Sequence, residues 1–295
     1  MSAQKTHVRS LIKLALEEDA VDDDITTKIL IPARLQAKAT IMAKEKLVLA
    51  GLDVAKQVFT QVDRSLKFKA YQKDGSVIKA GTICCMISGN ARSLLKAERV
   101  ALNFLQHLSG IATLTRQFCL ALTTSSTKIL DTRKTTPGLR SLQKQAVTFG
   151  GGHNHRQSLK DGILIKDNHL TLLYSKKITL DQACHLAKTQ APARLKVCVE
   201  TETLDQVTAA IRGKADIILL DNMPPHILRQ AIQLIDGRAL TEISGGITLE
   251  NVQSIASVGA DFISIGALTH SARSMDLSLS LNPITQSHLR RPRNG

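Results

Sequence analysis

Aromatic side chains are scarce in this chain: two tyrosines, six phenylalanines and no tryptophan among 295 residues. Few ring faces are left on which exposed bases could stack, so a single-strand nucleic-acid binder is disfavoured. No zinc-finger, RRM-like or basic-leucine-zipper pattern occurs either. There is no CxxC, and the five cysteines, Cys84, Cys85, Cys119, Cys184 and Cys198, are an odd number. That pattern argues against a disulfide framework and for small core thiols in a reducing compartment. The opening stretch, MSAQKTHVRSLIK, has no apolar run of signal-peptide length. Nothing downstream has the apolar length needed to span a bilayer. A soluble cytoplasmic protein, without membrane or nucleic-acid partners, is the expectation.

What is abundant is positive charge. The formal net charge is +14, which calls for an anionic partner. Part of it sits in the tail HLRRPRNG (288–295), read as a solvated end. Hydrophobic residues make up 43% of the chain, enough for a real core, and the length suits two domains or one barrel with an appendage. The first third predicts a helix over Val8–Glu18, an acidic loop at Asp22–Asp24, and short strands at Ala37–Lys44, Ser65–Tyr71 and Thr82–Ile87, with Gly51, Gly75 and Gly81 in the turns. A long helix follows, from Ala91 to about Thr123, with Gly110 as a place to break or bend it.

From Lys128 onward the rhythm changes. Apolar runs at Lys128–Leu130, Ile163–Ile165, Lys196–Val199, Ile217–Leu220, Leu240–Ile243 and Phe262–Ile265 alternate with amphipathic stretches at Thr179–Thr189, Leu204–Arg212, Pro225–Ile235 and Leu249–Val258. Strand and helix in alternation predict a parallel sheet covered on both faces. The regular spacing favours a closed or nearly closed barrel, with an open doubly wound sheet as the alternative.

Each run ends in polar or glycine residues. Asp131, Arg133 and Lys134 follow the first, Lys166, Asp167 and Asn168 the second, and Glu200 the third. Asp221 and Asn222 follow the fourth, Ser244-Gly245-Gly246 the fifth and Gly266 the sixth. In a parallel barrel these positions converge on one mouth, where active sites are built. The glycine loops suit a phosphate, through close backbone approach and a helix start near Leu249. The cations Arg133, Lys134, Arg140, His155, Arg156, Lys160 and Lys166 cluster in one region, interleaved with the turn residues Thr135-Thr136-Pro137-Gly138 and Gly150-Gly151-Gly152. Arginine forks match carboxylates, so this set suits a dicarboxylate beside a polyphosphate. Glu200 and Asp221 oppose the positive field; they can hold ribose hydroxyls or Mg²⁺, or serve as structural ion pairs. His153 and His155 form an HxH spacing, but no third ligand at recognisable spacing points to zinc.

These segments resemble a known family. DTRKTTPGLR (131–140), GGGHNHRQSLKDGILIKDNH (150–169), ILLDN (218–222), EISGGIT (242–248) and ISIGALTHSA (263–272) are similar to quinolinate phosphoribosyltransferases, as are EDAVDDDITT (18–27) and AERVALNFLQHLSGIAT (97–113). The resemblance runs over nearly the whole chain, in order. It implies an α/β fold with an N-terminal α/β sandwich domain (1–112), on which the segment from about 272 to 295 packs back, and an open, incomplete α/β barrel of the type II phosphoribosyltransferase kind (113–271). The implied enzyme is a pentosyltransferase. It joins quinolinate to phosphoribosyl pyrophosphate with Mg²⁺ and releases nicotinate mononucleotide, pyrophosphate and CO2 on the route to NAD.

Carried over by position, Arg133, His155, Arg156 and Lys166 hold the quinolinate carboxylates. Lys134, Glu200 and Asp221 are the catalytic set around the donor; Glu200 and Asp221 would reach the metal directly or through water or substrate. Ser244, Gly245, Gly246 and Gly266 cradle phosphate, and Thr132 and Ser264 complete the substrate site. Arg99 would reach across from the partner subunit of a homodimer or higher oligomer. The chain departs from the family pattern in three places. Cys198 stands where a glutamate is usual in Val197-Cys198-Val199-Glu200, the acidic loop reads DAVDDD rather than a glycine-containing form, and Val100 replaces a threonine beside Arg99. Three other functions remain in play. A barrel protein of metal-transport operons would lack the dicarboxylate set Arg133, Arg156 and Lys166. A nucleic-acid binder driven by charge would show salt-dependent retention on DNA. A Schiff-base aldolase or isomerase would need a lysine of strongly lowered pKa.

Overall fold

The computed structural model describes residues 3–123 and 125–284. The first elements are α1 (Ala3–Glu18), α2 (Ile25–Leu30), β1 (Gln36–Ala43), β2 (Leu47–Val48), α3 (Leu52–Val62), β3 (Lys67–Ala70), β4 (Val77–Ile78), β5 (Ile83–Asn90) and α4 (Ala91–Ala121). There follow β6 (Lys128–Leu130), α5 (Arg140–Gly150), β7 (Ile163–Ile165), α6 (Asp167–Tyr174), α7 (Leu180–Gln190), β8 (Val197–Thr201) and α8 (Leu204–Arg212). The last are β9 (Ile217–Asp221), α9 (Pro225–Ile235), β10 (Leu240–Ser244), α10 (Val252–Ala256), β11 (Phe262–Ser264), α11 (Ala267–His270) and β12 (Leu277–Pro283). Two compact units result. One runs to Thr113 and resumes at Ala272; the other is Leu114–Ser271. No helix among the described residues is long and apolar enough to cross a membrane.

In the first unit an antiparallel sheet has the order β12-β1-β5-β3. Strand β1 alternates as the pleat requires, with Ala37, Ala39, Ile41 and Ala43 all buried. Helix α1 begins at Ala3 rather than Val8 and buries Val8, Ile12 and Leu16 at a spacing of four. Helix α4 buries Leu94, Ala97, Ala101, Leu105 and Leu108 completely or nearly so. Each large member of that row contributes roughly 1.5–3 kcal/mol of burial. Gly110 does not break α4, which runs unbroken from Ala91 to Ala121. A Cβ there would lie 1.9 Å from the Arg273 carbonyl oxygen, so the glycine permits close packing of the segment that leads to β12. That segment is held by Met275 N–H donating to the Gln106 carbonyl at 3.0 Å and by Gln106 Nε2 donating to the Leu277 carbonyl at 3.0 Å. Helix α3 was not foreseen; Val54, Ala55, Val58 and Phe59 bury one face of it. The basic tail at 288–295 lies outside the described residues.

In the second unit all pairings of the main sheet are parallel, in the order β6-β11-β10-β9-β8-β7. This is the cyclic order of a barrel with one seam left open, between β6 and β7. A doubly wound sheet would instead reverse its strand order about a switch point. A single parallel bridge from Leu130 to His153 extends the β6 edge. The six strands begin and end within a residue or two of the apolar runs read from the sequence. Helices α8 and α9 match the expected bounds, whereas α5 and α6 were not foreseen. Helix α10 is five residues long and starts at Val252, not near Leu249. Helical hydrogen bonding already begins at Thr248, whose carbonyl accepts Val252 N–H at 3.0 Å, so the glycine loop runs straight into the first turn.

Candidate active site

Because residues paired across parallel strands share a face, the register shows which side chains look inward. Leu164 pairs with Cys198, and Glu200 with Leu219. Leu219 pairs in turn with Glu242, and Asp221 with Ser244. One face thus reads Leu164, Cys198, Glu200, Leu219, Asp221, Glu242 and Ser244. At its C-terminal edge lies a cavity of about 540 Å³, a size that accommodates small-molecule ligands.

Thirteen of the fourteen residues read as site candidates line this cavity. They are Thr132, Arg133 and Lys134 beyond β6, His155 and Arg156 before β7, Lys166 beyond β7, Glu200 on β8, Asp221 on β9, Ser244, Gly245 and Gly246 at the end of β10, and Ser264 and Gly266 at the end of β11. Arg99 does not line it and is exposed on α4 in the other unit. Arg140 and Lys160, of the cation cluster, also stay outside. Arg140 braces the preceding loop instead, through Nε to Thr135 Oγ1 at 2.9 Å and Nη1 to the Gln157 carbonyl at 3.3 Å. Asp167 and Asn168 open α6 and do not line the cavity, and His153 is exposed outside it.

The cations are held with their charge only partly compensated. Lys166 Nζ sits 3.1 Å from Glu200 Oε2. Arg156 gives Nη1 to the Gly162 carbonyl at 3.0 Å. Burial, and then the nearby Arg133, lower the Arg156 pKa. Arg133 Nε is buried without a hydrogen-bond partner. An unsatisfied buried donor costs about 1–3 kcal/mol, which a bound oxygen would recover.

Asp131 follows β6 as the sequence suggested but lies beneath the cavity, fully buried. It forms a short ion pair with Lys144 of α5, itself 1% exposed. The pair clamps the His155 peptide on both sides: its N–H donates to Asp131 Oδ1 at 2.8 Å, and its carbonyl accepts from Lys144 Nζ at 3.0 Å. With its amide turned to satisfy both partners, Asn154 donates to Asp131 Oδ2 at 2.6 Å. Burial raises the Asp131 pKa and lowers that of Lys144, even against their mutual attraction. Sequence reasoning missed Lys144, since α5 itself was not foreseen and a lysine in a stretch read as loop is expected to face solvent.

The glycines have specific causes. Gly245 has φ +93°, and a Cβ there would fall 2.1 Å from Asn222 Oδ1. Asn222 itself adopts φ +53° and donates its N–H to the Ser244 carbonyl at 2.9 Å. Asn251 secures the other side of the loop, with Nδ2 to the Gly246 carbonyl at 2.8 Å and Oδ1 accepting Thr248 N–H at 2.9 Å. Gly151 is the left-handed C-cap of α5 at φ +98°. Two further ionisable cavity residues were not singled out from sequence, Glu242 and His270. Glu242 did leave a signal: a charged residue inside an apolar strand of a parallel sheet has to face an interior polar site. Cys198 is 3% exposed, and burial pushes its thiol well above the usual range. It does not line the cavity.

Comparison with known proteins gives a consistent result. The family described as "Quinolinate phosphoribosyl transferase, C-terminal domain" matches residues 111–280, and "Quinolinate phosphoribosyl transferase, N-terminal domain" matches residues 24–109. The chain is 39% identical, over 280 residues and 95% of each chain, to a probable nicotinate-nucleotide pyrophosphorylase (carboxylating) of Bacillus subtilis. It is 40% identical to quinolinate phosphoribosyltransferase (decarboxylating) 1 of Nicotiana glauca, covering 93% of this chain and 82% of the relative. Among solved structures, NadC from Streptococcus pyogenes is 41% identical and superimposes with a TM-score of 0.90 over 97% of this chain and 100% of that one.

Proposed function

Given that the chain belongs to the quinolinate phosphoribosyltransferase family, we propose that its barrel cavity transfers the phosphoribosyl group of phosphoribosyl pyrophosphate to quinolinate with decarboxylation. The products are nicotinate mononucleotide, pyrophosphate and CO2, as de novo NAD biosynthesis requires. One observation carries the reading. Arg133, Lys134, Arg156 and Lys166 converge on a single cavity in which a buried Arg133 donor has no partner.

The chemistry follows from that charge. The pyridine nitrogen attacks the anomeric carbon as pyrophosphate departs. Glu200 and Asp221 stabilise the oxocarbenium-like sugar, and Lys134 offsets charge on the leaving pyrophosphate. Arg133, Arg156 and Lys166 hold the two carboxylates of quinolinate, with His155, Thr132 and Ser264 beside them. The Ser244-Gly245-Gly246 and Gly266 loops cradle the phosphate. Once the ring nitrogen is quaternised, its positive charge stabilises the electron pair that loss of CO2 leaves on C2, and a proton taken up from water at C2 completes the product. Holding two anions together that would otherwise repel is the protein's main task.

Among the described residues there is no cluster of three or more His, Cys, Asp or Glu that could hold a metal, but two carboxylates, Glu200 and Asp221, line the cavity. That donor set fits Mg²⁺, which takes few carboxylates and completes its shell with substrate phosphates. When bound it would offset charge on the pyrophosphate. In this reading Arg99, exposed on α4, enters the site of the partner subunit in a homodimer. The working compartment is the cytoplasm, consistent with five free cysteines. The test is an assay for nicotinate mononucleotide from quinolinate, the donor and Mg²⁺, run beside nicotinate. Product from quinolinate alone is expected; no product from quinolinate sinks the reading.

A further inference from the structure

Glu242 has no part in the chemistry above, yet it is 1% exposed on the inner face of β10 and lines the cavity. Its Oε2 lies 3.4 Å from His155 Nε2, an electrostatic contact longer than an ordinary hydrogen bond. The other ring nitrogen of His155, Nδ1, accepts the backbone N–H of Arg156 at 2.8 Å. A neutral imidazole carries one N–H and one lone pair. With the lone pair committed at Nδ1, the hydrogen sits on Nε2, facing the carboxylate. A buried carboxylate needs such a donor, because leaving it unpaired is costly. The opposite tautomer would set Nδ1–H against the Arg156 N–H and leave Nε2 as a lone pair facing Glu242. Both contacts would become repulsive. The His155 peptide is already clamped by Asp131 and Lys144, so the ring has little freedom to escape by moving its backbone. Arg156 is in turn fixed at its guanidinium by the Gly162 carbonyl.

We infer that Glu242 is a positioning residue for quinolinate, acting through His155: it locks the Nε2–H tautomer and so holds the Arg156 main chain where its guanidinium meets the substrate carboxylate. The inference rests on the function proposed above for the cavity. It concerns a residue two positions before the glycine loop, in the strand rather than in the loop, and it assigns no contact between Glu242 and the reacting atoms.

The test has two arms on the full-length protein. In the first, ring-¹⁵N histidine labelling reports the tautomer of His155, identified by the signal lost in His155→Gln. The wild type should show a protonated Nε2 and an unprotonated Nδ1. Glu242→Gln, whose amide oxygen can still accept the N–H, should keep that signature, and Glu242→Leu should lose it. In the second, steady-state kinetics separate the substrates. Glu242→Leu should raise KM for quinolinate about tenfold, ~1.4 kcal/mol, with KM for the phosphoribosyl donor unmoved. Glu242→Gln should recover most of that loss. A purely structural role would move both KM values together or lower the active fraction. A protonated Nδ1 in the wild type overturns the inference, as does an unchanged quinolinate KM in Glu242→Leu. So does a Gln variant that keeps the tautomer but binds quinolinate as poorly as Leu. If Glu242→Leu does not fold, the wild-type spectrum and the Gln variant still decide. Should the wild type turn over no quinolinate, the functional reading fails, while the spectrum still reports on the Glu242–His155 pair.

Discussion

Lys144→Met removes half of a buried ion pair and leaves Asp131, fully buried, without its cation. Breaking such a pair from one side costs about 3–5 kcal/mol, because the remaining charge is uncompensated. For a domain of about 150–250 residues each kcal/mol shifts Tm by roughly 2–4 °C, so a loss of roughly 6–20 °C is expected. The cost should depend on pH with a definite sign. Burial already raises the Asp131 pKa, and Lys144 is the chief influence lowering it; without Lys144 it rises further. A carboxyl whose folded pKa lies above its unfolded value favours the folded state fully below the unfolded pKa, about 3.8–3.9, and that contribution is lost as pH rises through the folded pKa. The deficit relative to wild type should therefore be smallest below about pH 4 and grow as pH rises through the folded pKa. Urea unfolding followed by far-UV circular dichroism, repeated across pH, measures it. The double variant Asp131→Asn/Lys144→Met keeps an acceptor for His155 N–H and buries no charge, so it should be more stable than either single variant. A Lys144→Met protein within about 1 kcal/mol of wild type at pH 7 would refute the reasoning. A double variant whose loss is the sum of the two singles would refute it equally.

Three further outcomes follow from the site. Lys134→Ala should lower turnover by about two to three orders of magnitude, the usual cost of one transition-state charge contact; near-wild-type rates in the quinolinate assay would reject its role. Gly245→Ala forces a Cβ into Asn222 at a left-handed φ and should raise KM for the donor by roughly 5–150-fold, from about 1–3 kcal/mol of strain, with quinolinate KM much less affected. Subunits carrying Arg99→Ala and Lys134→Ala, each inactive alone, should regain roughly a quarter of wild-type activity when mixed and allowed to exchange, because half the dimers then contain one intact site. No recovery would place Arg99 outside the partner's site.

The second unit was the more legible in sequence. Its strands are continuous apolar runs because both faces are covered, and each ends abruptly in residues such as Lys166, Glu200 or Asp221 that have to reach solvent or ligand. Helices α5 and α6 were missed because they are short and directly follow loops read as the site, although none of their residues lines the cavity. In α5, Leu142, Gln143 and Lys144 are buried in succession, which no simple amphipathic pattern announces. Strand β12 was hidden in a stretch read only as a returning tail, although LSLSL alternates as a half-buried strand does. Gly110 misled because a helix glycine reads as a break, while its partner, the Arg273 carbonyl, comes from a distant segment. Lys144 and Glu242 were missed for one reason: sequence shows charge but not burial, and both owe their importance to being 1% exposed.

The central claim is a phosphoribosyl transfer that ends in decarboxylation at the cavity ringed by Arg133, Lys134, Arg156 and Lys166. Quinolinate labelled in its 2-carboxylate tests it most directly. With phosphoribosyl pyrophosphate and Mg²⁺, labelled CO2 and pyrophosphate should appear in equal amounts, and neither should form when the donor is left out. Pyrophosphate released without labelled CO2, or no CO2 from quinolinate under any of these conditions, would contradict the account.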